Sequence, residues 1–431
     1  MDYREAREYL EDASRYGSVL GLEGMRDMLD RLDNPQDDLK FIHIAGTNGK
    51  GSVLAYLSCI LKKAGYRVGC YISPTLFSYR ERIQVNEDYI EKEALARLTT
   101  RIAKVVEEME AEGKQHPTVF EIETALGILY FKEQQCDVVV LETGLGGLLD
   151  ATNVIATAIM EVFVSISMDH MGVLGNSLEE IAFNKAGIIK PGTLVVSCEQ
   201  PVEAMKVIEQ TCKERGCRLR VARQSDASHV VYGCEEQRFS YGCYQDVRIS
   251  LAGVYQIQNA VLAVEAALGL QSLGYEISDQ ALLDGMKAAR WKGRFTVLQK
   301  NPVFIVDGAH NRDGARALEE SVRLYFPGRR LHYIMGVFRD KEYEEMIQLT
   351  APLADDIIAV ETPSNERALP AEELARAIAQ VNPHVEAAKD IESAVKKSMD
   401  AAKKDDVILA FGSLSFLGDI TEALDTVRRE S

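Results

Sequence analysis

The feature that most constrains the fold of this chain is a glycine-rich stretch, residues 46–52, between an apolar run and a helical pattern. The run Phe41–Ile44 has the composition of a buried strand, and Val53–Ala64 has the periodicity of an amphipathic helix. A buried strand that passes through a tight turn into a helix is typical of parallel sheets with crossover helices. The sequence therefore predicts an α/β protein.

The same alternation of strands and helices continues along the chain. Further strands of a first sheet are predicted at Val68–Ile72, Asp137–Leu141, Val162–Ser167 and Thr193–Ser197. Residues from about 217 to 250 are polar with period-2 stretches, which predicts an antiparallel ribbon. A second α/β series has predicted strands at Val303–Val306, Leu331–Met335, Asp356–Val360 and Val407–Phe411.

The length and the break between these two series predict two domains. A chain of 431 residues exceeds the size of one ordinary core. The break falls near Trp291–Arg294. We predict residues 1–293 to be a phosphate-loop (P-loop) domain with a mostly parallel sheet and a small antiparallel ribbon. Residues 294–431 are predicted to be a smaller C-terminal α/β, Rossmann-like domain.

Composition excludes some partners. The chain has 49 Lys and Arg against 66 Asp and Glu, a formal net charge of −17 at pH 7. Nucleic acids and anionic membranes both require a basic surface, so neither is expected as a partner. The N-terminal residues lack the apolar stretch of a secretory signal, and no run reaches the roughly 18 apolar residues of a membrane span. The eight Cys form no CxxC pair. Free thiols and a cytoplasmic location are predicted.

The stretch between strand and helix has the chemistry of a phosphate-binding loop. Glycines allow successive N–H groups to point at phosphate oxygens, and the helix N-terminus adds a partial positive charge. Lys50 would contact the β- and γ-phosphates, and the Ser52 hydroxyl would bind Mg²⁺. The common pattern has Gly where this chain has Ile44, so the loop is a shorter variant. ATP binding is predicted over the alternative of a glycine turn without a ligand. The predicted loop residues are Gly46, Thr47, Asn48, Gly49, Lys50, Gly51 and Ser52.

Polar residues after two other strands are further candidates. Glu142 ends the predicted strand Asp137–Leu141, where an acid beside a phosphate loop commonly orients Mg²⁺. The alternative is a solvated glutamate. His170 follows Val162–Ser167, at the edge where open α/β sheets bind ligands. A purely structural histidine is an equal alternative. Sequence alone does not select Lys185 over Lys190, and either could be an ordinary surface lysine.

Taken together, these motifs resemble the folylpolyglutamate synthase and dihydrofolate synthase family of the Mur ligase superfamily. The resemblance covers nearly the whole chain, in order. The segments that match are Gly46–Ser52, Ser73-Pro74, Gly144–Gly147, Leu149–Asn153, Asp169-His170, Lys185–Ile188, Tyr255-Gln256, Asn259-Ala260, Gly293–Phe295, Asp307–Asn311, Asp340-Lys341 and Phe411–Leu414.

The resemblance implies an ATP-dependent ligase that adds L-glutamate to a folate, or to dihydropteroate, through an acyl phosphate. It implies a monomer with ATP and two Mg²⁺ ions, and an N-carboxylated Lys185. The implied catalytic residues are Lys50, Lys185, His170 and His310. The implied metal ligands are Ser52, Ser73, Glu142 and His170. The implied nucleotide contacts beyond the loop are Asn259, Arg294 and Asp307, and the implied glutamate contacts are His310, Lys341 and Ser413.

The chain departs from the family pattern at three positions. Leu148 stands where Arg is frequent, Asn184 where Glu is frequent, and Thr75 where His is frequent. The preferred folate form, and whether dihydrofolate synthase activity is present, are left open. The alternatives are another Mur-type ligase acting on a peptidoglycan precursor, and a nucleotide switch protein with a P-loop and no ligase activity.

Overall fold

The computed structural model describes residues 1–17, 21–363 and 366–430. The chain forms two compact units. The first unit comprises Met1–Ser228, Tyr241–Cys243 and Gln258–Ala289. The second unit comprises His229–Ser240, Tyr244–Ile257 and Arg290–Ser431. The predicted bounds 1–293 and 294–431 remain a prediction.

The first unit is built on an eight-stranded sheet with the order β4-β3-β2-β5-β1-β6-β7-β8. Six neighbouring strands, from β2 to β8 in that order, are parallel, and β3 and β4 pair antiparallel at one edge. The strands are β1 (Phe41–Ala45), β2 (Val68–Tyr71), β3 (Ile83–Val85), β4 (Asp88–Tyr89), β5 (Val138–Glu142), β6 (Ala158–Phe163), β7 (Leu194–Cys198) and β8 (Arg218–Ala222).

Nine helices accompany this sheet in the described part of the chain. They are α1 (Tyr3–Ala13), α2 (Glu23–Arg31), α3 (Lys50–Lys63), α4 (Lys92–Ala111), α5 (Val119–Glu133), α6 (Leu178–Ala186), α7 (Val202–Glu214), α8 (Gln256–Ser272) and α9 (Asp279–Ala288). Residues of α1, α2, α4 and α5 share one core with the sheet, and residues of α6 and α7 share another. Every residue of β1 and β5 is buried, which explains their continuous apolar runs.

The polar segment after β7 differs in part from the predicted ribbon. A three-stranded sheet is present, with the order β11-β10-β9, formed by β9 (Ser228–Val231), β10 (Gln237–Tyr241) and β11 (Tyr244–Ile249). However, Arg218–Ala222 pairs parallel with β7 and belongs to the large sheet. This strand lies at the sheet edge and leaves Arg218 exposed, so its sequence reads like a ribbon strand.

The second unit has a six-stranded sheet with the order β12-β13-β17-β14-β15-β16. Its strands are β12 (Thr296–Lys300), β13 (Val303–Val306), β14 (Leu331–Met335), β15 (Asp356–Ala359), β16 (Val385–Ala387) and β17 (Val407–Phe411). Only the β12–β13 pair is antiparallel. Its helices are α10 (Arg312–Tyr325), α11 (Tyr343–Thr350), α12 (Ala371–Ala379), α13 (Ile391–Ala401) and α14 (Leu417–Glu430). Two apolar clusters, one on each face of the sheet, form its core.

The predicted α/β class with two sheets is confirmed. One strand is displaced from its predicted place. The prediction was Val162–Ser167, whereas β6 ends at Phe163. The next residues leave the sheet and bond the glycine-rich loop: Thr47 N–H donates to the Ser165 carbonyl at 2.7 Å. No described helix has the length and apolar content needed to cross a bilayer.

Candidate active site

The glycine-rich loop, residues 46–52, connects the carboxyl end of β1 to the first turn of α3. Gly46 has φ +141°, and a Cβ there would lie 2.2 Å from Val164 Cγ2. Gly49 has φ +106° and caps α3, and a Cβ there would lie 2.5 Å from Asn259 Oδ1. Both positions therefore require glycine for conformation and for space. The predicted strand, loop and helix are present in the predicted order.

Two charged side chains meet at this loop. Lys50 Nζ donates to the Gly46 carbonyl at 3.3 Å and to the Thr47 carbonyl at 3.4 Å. The same ammonium lies 3.9 Å from Glu142 Oε1, and the Glu142 side chain is 7% exposed. Glu142 is the last residue of β5, which neighbours β1 in the sheet. Lys50 thus lies among oxygen atoms within the loop, where an anion entering the loop would meet its charge.

Ser52 and Ser73 lie on the same part of the first unit. Ser52 is in the first turn of α3, with its side chain buried. Ser73 follows β2, and its N–H donates to Glu142 Oε2 at 3.3 Å. The structure therefore brings Glu142 together with the segments that hold both serines.

Lys185 is buried, with 4% of its surface exposed, and its Nζ donates to the Gly46 carbonyl at 2.9 Å. Burial, together with the nearby Lys50 charge, lowers the pKa of Lys185 to about 7. Two lysine side chains thus donate to one carbonyl oxygen of the loop. A substantial fraction of the Lys185 side chain is a neutral amine near pH 7, which is the form that reacts with carbon dioxide.

His170 is less enclosed than the other predicted residues. It lies in the left-handed region with φ +51°, well beyond the end of β6, and its side chain is 42% exposed. Its N–H donates to Asp169 Oδ1 at 2.8 Å. It was expected next to the end of a strand. The chain instead returns to the loop first, so His170 belongs to a long connection between β6 and α6.

In the second unit, Asp307 is buried directly after β13, and its carboxylate bonds several segments. It accepts hydrogen bonds from the Phe295 N–H at 2.7 Å, from the Ala309 N–H at 2.8 Å and from the Tyr255 hydroxyl at 3.1 Å. Burial raises the pKa of Asp307, and the charge of Arg294 opposes that rise. Asp307 therefore fixes three separate segments of the second unit.

The remaining predicted residues of the second unit follow the carboxyl ends of its parallel strands. His310 lies after β13, and its Nδ1 bonds the Gly308 carbonyl at 2.7 Å. Ser413 is buried after β17 and bonds the Ser415 hydroxyl at 2.8 Å. Lys341 follows β14 and is partly exposed. Open α/β sheets bind ligands at this edge, so each of the three residues follows a strand end where a ligand is expected.

The chemistry of Ser52 and Glu142 suits one metal in particular. Hydroxyl and carboxylate oxygens are hard ligands, and Mg²⁺ usually combines one or two of them with water and phosphate oxygens. Within the described residues, no group of three or more His, Cys, Asp or Glu has a metal-holding arrangement. The oxygen donors at Glu142 therefore fit Mg²⁺ that arrives with a nucleotide.

Sequence reasoning missed a large cavity of the first unit. It has a volume of about 890 Å³ and is lined by residues 21–24, 26, 27, 109, 114–117, 121, 148 and 149. Its polar lining includes Arg26, Lys114 and the buried carboxylate of Glu121. Glu121 Oε2 accepts the N–H of Thr118 at 2.8 Å, in a capping box at the start of α5. The Thr-x-x-Glu spacing indicates a helix start, but it gives no signal of a cavity.

The fold and these residues define a class of protein. The family profile of the Mur ligase middle domain matches residues 44–267, and that of the Mur ligase glutamate ligase domain matches residues 293–414. The curated relatives are more specific. A dihydrofolate synthase/folylpolyglutamate synthase of Bacillus subtilis is 35% identical over 98% of this chain and 99% of its own. A folylpolyglutamate synthase of Lacticaseibacillus casei is 31% identical over 86% of this chain and 88% of its own.

Solved structures agree with these relatives. The folylpolyglutamate synthase of Thermotoga maritima has a TM-score of 0.84 at 34% identity, over 98% of this chain and 97% of that one. The Mycobacterium tuberculosis folylpolyglutamate synthase complexed with ADP and AMPPCP has a TM-score of 0.88 at 27% identity, over 99% of both chains. The chain belongs to the folylpolyglutamate synthase/dihydrofolate synthase family of Mur ligases.

Proposed function

We propose that this protein is an ATP-dependent ligase that joins L-glutamate to the carboxylate of a folate through an acyl phosphate. The observation that carries the proposal is the glycine-rich loop between β1 and α3, where Lys50 lies 3.9 Å from the buried Glu142. A lysine at a helix N-terminus and a nearby carboxylate that can orient Mg²⁺ are recurring parts of sites that transfer phosphoryl groups from ATP.

Ligands of related proteins support the same reaction. The M. tuberculosis relative was solved with ADP and with AMPPCP, and an Escherichia coli FolC structure contains DHPP and ADP. That E. coli protein has a TM-score of 0.85 to this chain at 29% identity, over 99% of this chain and 98% of its own. We therefore propose that ATP and a folate or dihydropteroate are substrates here.

The first unit would hold the triphosphate. Backbone N–H groups at the start of α3 would bind the phosphate oxygens, and Lys50 would move from the loop carbonyls to the β- and γ-phosphates. Asn259 lies against Gly49, and we propose that it contacts the same loop or its ligand. Ser52, Ser73, Glu142 and His170 are the proposed ligands of two Mg²⁺ ions. When bound, Mg²⁺ would neutralise phosphate charge and orient the transferred group.

Lys185 is proposed to be N-carboxylated. Its pKa of about 7 leaves neutral amine available, which can add to carbon dioxide and release one proton. The product is a carbamate anion, and this anion would remove the repulsion between Lys185 and Lys50. The buried position 2.9 Å from the Gly46 carbonyl supports a role next to the nucleotide.

The cavity of about 890 Å³ in the first unit is proposed to receive the folate ring system. Its volume suits a small organic ligand, and such sites combine apolar walls with a few polar groups. The Glu121 carboxylate can accept hydrogen bonds from a ligand, and the Arg26 guanidinium can donate them. Leu148, which replaces a frequent Arg, makes this wall less polar than the family pattern.

In the second unit, Arg294 and Asp307 are proposed nucleotide contacts. His310, Lys341 and Ser413 are proposed to bind or orient L-glutamate. In the reaction, the γ-phosphoryl group passes to a carboxylate oxygen of the folate and ADP leaves. The neutral amine of glutamate then attacks the acyl carbon, and phosphate leaves with one oxygen of the original carboxylate. Lys50 and Arg294 would stabilise the negative charge of these anions, which water would otherwise solvate.

A substrate panel in an ADP-release assay tests this function. Purified protein is given ATP with L-glutamate and either tetrahydrofolate, dihydropteroate or a nucleotide-linked peptidoglycan precursor. Release of ADP only when a folate and glutamate are both present is expected. Turnover with the peptidoglycan precursor, and with neither tetrahydrofolate nor dihydropteroate, would assign the protein to another Mur ligase reaction. Slow ATP hydrolysis that ignores glutamate would indicate a nucleotide switch protein.

The same panel decides between the two folate activities, since turnover with dihydropteroate would add dihydrofolate synthase activity. A monomeric state, a cytoplasmic location and the lack of nucleic-acid or membrane partners remain predictions. Size-exclusion chromatography with light scattering tests the first of them directly.

A further inference from the structure

Three buried polar side chains, those of His43, Thr152 and Asp150, form a hydrogen-bond relay next to the segment that follows β5. His43 lies in the middle of β1 and is fully buried. Its Nε2 lies 2.8 Å from the Thr152 hydroxyl, which in turn donates to Asp150 Oδ1. Asp150 is also buried. This hydrogen-bond relay therefore connects β1, the strand before the glycine-rich loop, to a different loop, residues 143–153.

The hydrogen bonds of this relay determine which ring nitrogen of His43 carries the proton. Asp150 accepts the Leu145 N–H at 2.6 Å and the Thr152 N–H at 3.0 Å, so its carboxylate acts as an acceptor of three donors. The single hydroxyl proton of Thr152 is used on Asp150. The Thr152 oxygen must therefore accept from His43, which places the proton on Nε2. Burial lowers the pKa of His43 to about 3, so the ring stays neutral.

This arrangement costs stability. His43 Nδ1 is a buried acceptor with no hydrogen-bond partner among the described residues. An unsatisfied buried polar atom is unfavourable, and an apolar side chain of similar size would avoid that cost in the centre of a parallel strand. A histidine here is thus better explained by what its N–H holds than by packing.

The group held is a loop that lines the cavity. The Asp150 carboxylate closes residues 145–150 into a ring by accepting the Leu145 N–H. Asn153 continues the support, since its N–H donates to the Asp150 carbonyl at 2.8 Å and its side-chain amide to the Leu148 carbonyl at 3.0 Å. Leu148 and Leu149 form part of the cavity wall.

We propose that His43 is a positioning residue for the folate site: through Thr152 and Asp150 it sets the conformation of residues 145–150, and so the cavity wall. The folate as occupant rests on the proposed function, whereas the relay itself does not. Binding of the folate depends on this relay, and binding of ATP at residues 46–52 does not.

A double-mutant cycle tests the relay. His43→Leu removes the N–H donor, and Thr152→Val removes the hydroxyl while keeping the side-chain shape. Each variant is expected to raise KM for the folate roughly tenfold, equivalent to about 1.4 kcal/mol, with KM for ATP unchanged. The double variant should show the same rise in KM for the folate as either single variant, because each of the three variants breaks the same hydrogen-bond relay. His43→Gln, which keeps an N–H donor, should remain within about threefold of the wild type.

Additive effects in the cycle, or a rise in KM for ATP equal to that for the folate, would overturn the proposal. Thr350→Val is the matched control, since it removes a buried hydroxyl that donates to the Met346 carbonyl of its own helix, in the second unit. It is expected to leave both KM values unchanged.

Amide hydrogen exchange tests the relay without any substrate. Thr152→Val should speed exchange at residues 144–150, including the Leu145 and Leu148 amides, while the amides of β1 keep their protection. Unchanged exchange at residues 144–150 would disprove the positioning role even in a fully active enzyme. Wild-type turnover tests the proposed function separately, so the two failures are distinguishable.

Discussion

At the scale of single residues, the site of the first unit is organised by two lysines that share one carbonyl oxygen. Lys50 and Lys185 both donate to Gly46, and Glu142 is a carboxylate near Lys50. Burying two like charges together is unfavourable unless an anion arrives. A triphosphate would supply that anion for Lys50, and carboxylation would remove the positive charge of Lys185.

Replacing Lys185 tests this arrangement. Lys185→Ala should reduce kcat by ~10²-fold, the size of effect expected on losing one charged group from such a site. Short-chain carboxylates added to the assay should restore part of the activity, because they can occupy the position of the carbamate. The exposed Lys206 provides the control, as Lys206→Ala should keep full activity with no response to carboxylates. Full activity of Lys185→Ala without rescue would contradict the carbamate.

Glu142 makes a separate prediction about magnesium. Glu142→Gln keeps the side-chain shape but removes the charge, so the Mg²⁺ concentration for half-maximal activity should rise about tenfold, or about 1.4 kcal/mol. The measurement is a magnesium titration of ADP release, with exposed Glu179→Gln as the control. An unchanged titration would remove Glu142 from the metal ligands.

The residue scale also shows where sequence reasoning reached its limit. Lys50 and Glu142 could be selected because each adjoins the end of a predicted buried strand. Lys185 and Lys190 lie on the same short stretch, and composition does not separate them. In the structure, Lys185 bonds the Gly46 carbonyl, whereas Lys190 bonds the Asn153 side chain. The contact between Lys185 and Gly46 joins residues more than a hundred positions apart. Local sequence does not encode a contact of this kind.

At the scale of elements, the junction of β1 and α3 depends on the backbone of Gly46. Gly46→Ala should abolish ATP binding, because its Cβ would also lie 2.9 Å from the Val164 carbonyl and force the loop to move. Gly65→Ala is the control. Gly65 has φ +95° and open space around it, so alanine there meets the unfavourable backbone conformation but no steric clash. We expect the control to lose about 1 kcal/mol of stability and keep nucleotide affinity. Calorimetric titration with ADP compares the two, and equal affinities would contradict the account of the loop.

A buried histidine joins the amino ends of strands in the second unit. His332 Nδ1 bonds Asp356 at 2.9 Å, and its Nε2 bonds Asp406 at 3.2 Å. These residues lie at the start of β14, at the start of β15 and just before β17. The hydrogen bond to Asp356 raises the pKa of His332, burial lowers it, and the bond to Asp406 raises it again, with a net rise.

This pair of bonds predicts a pH dependence of stability. A raised folded-state pKa gives stabilisation that is complete below the unfolded value of about 6.5 and is lost as pH rises through the folded value. The urea midpoint of the wild type should therefore fall between pH 6 and 9, and His332→Asn should lose about 2 kcal/mol at pH 6 and show a smaller fall. His384→Asn, at an exposed position of the same unit, should behave like the wild type. The same pH dependence in His332→Asn would contradict this role.

Most elements could be predicted, and the exceptions share a cause. Val303–Val306, Leu331–Met335 and Val407–Phe411 are strands with the predicted bounds, because buried parallel strands are continuous apolar runs. The start of the ribbon and the end of β6 were wrong. Arg218 lies on an edge strand, and Ser165 bonds the glycine-rich loop instead of continuing β6. Edges and departures from a sheet depend on partners elsewhere in the chain.

At the scale of the whole molecule, the chain repeats one architecture: a largely parallel sheet with helices in each unit. The periodicity of the sequence predicted this class. The cavity of the first unit could not be predicted, since its walls come from three separate segments, near residues 21–27, 109–121 and 148–149. The second unit places its candidate residues after strand ends, as expected for the fold.

The central step of the proposed reaction is phosphorylation of a folate carboxylate by ATP before glutamate attacks it. The most direct measurement uses a folate with heavy oxygen at both positions of that carboxylate, and mass spectrometry of the inorganic phosphate released during amide formation. One labelled oxygen in phosphate for each amide bond formed is the predicted result. Unlabelled phosphate, with the displaced labelled oxygen recovered in water, would contradict the acyl-phosphate reaction.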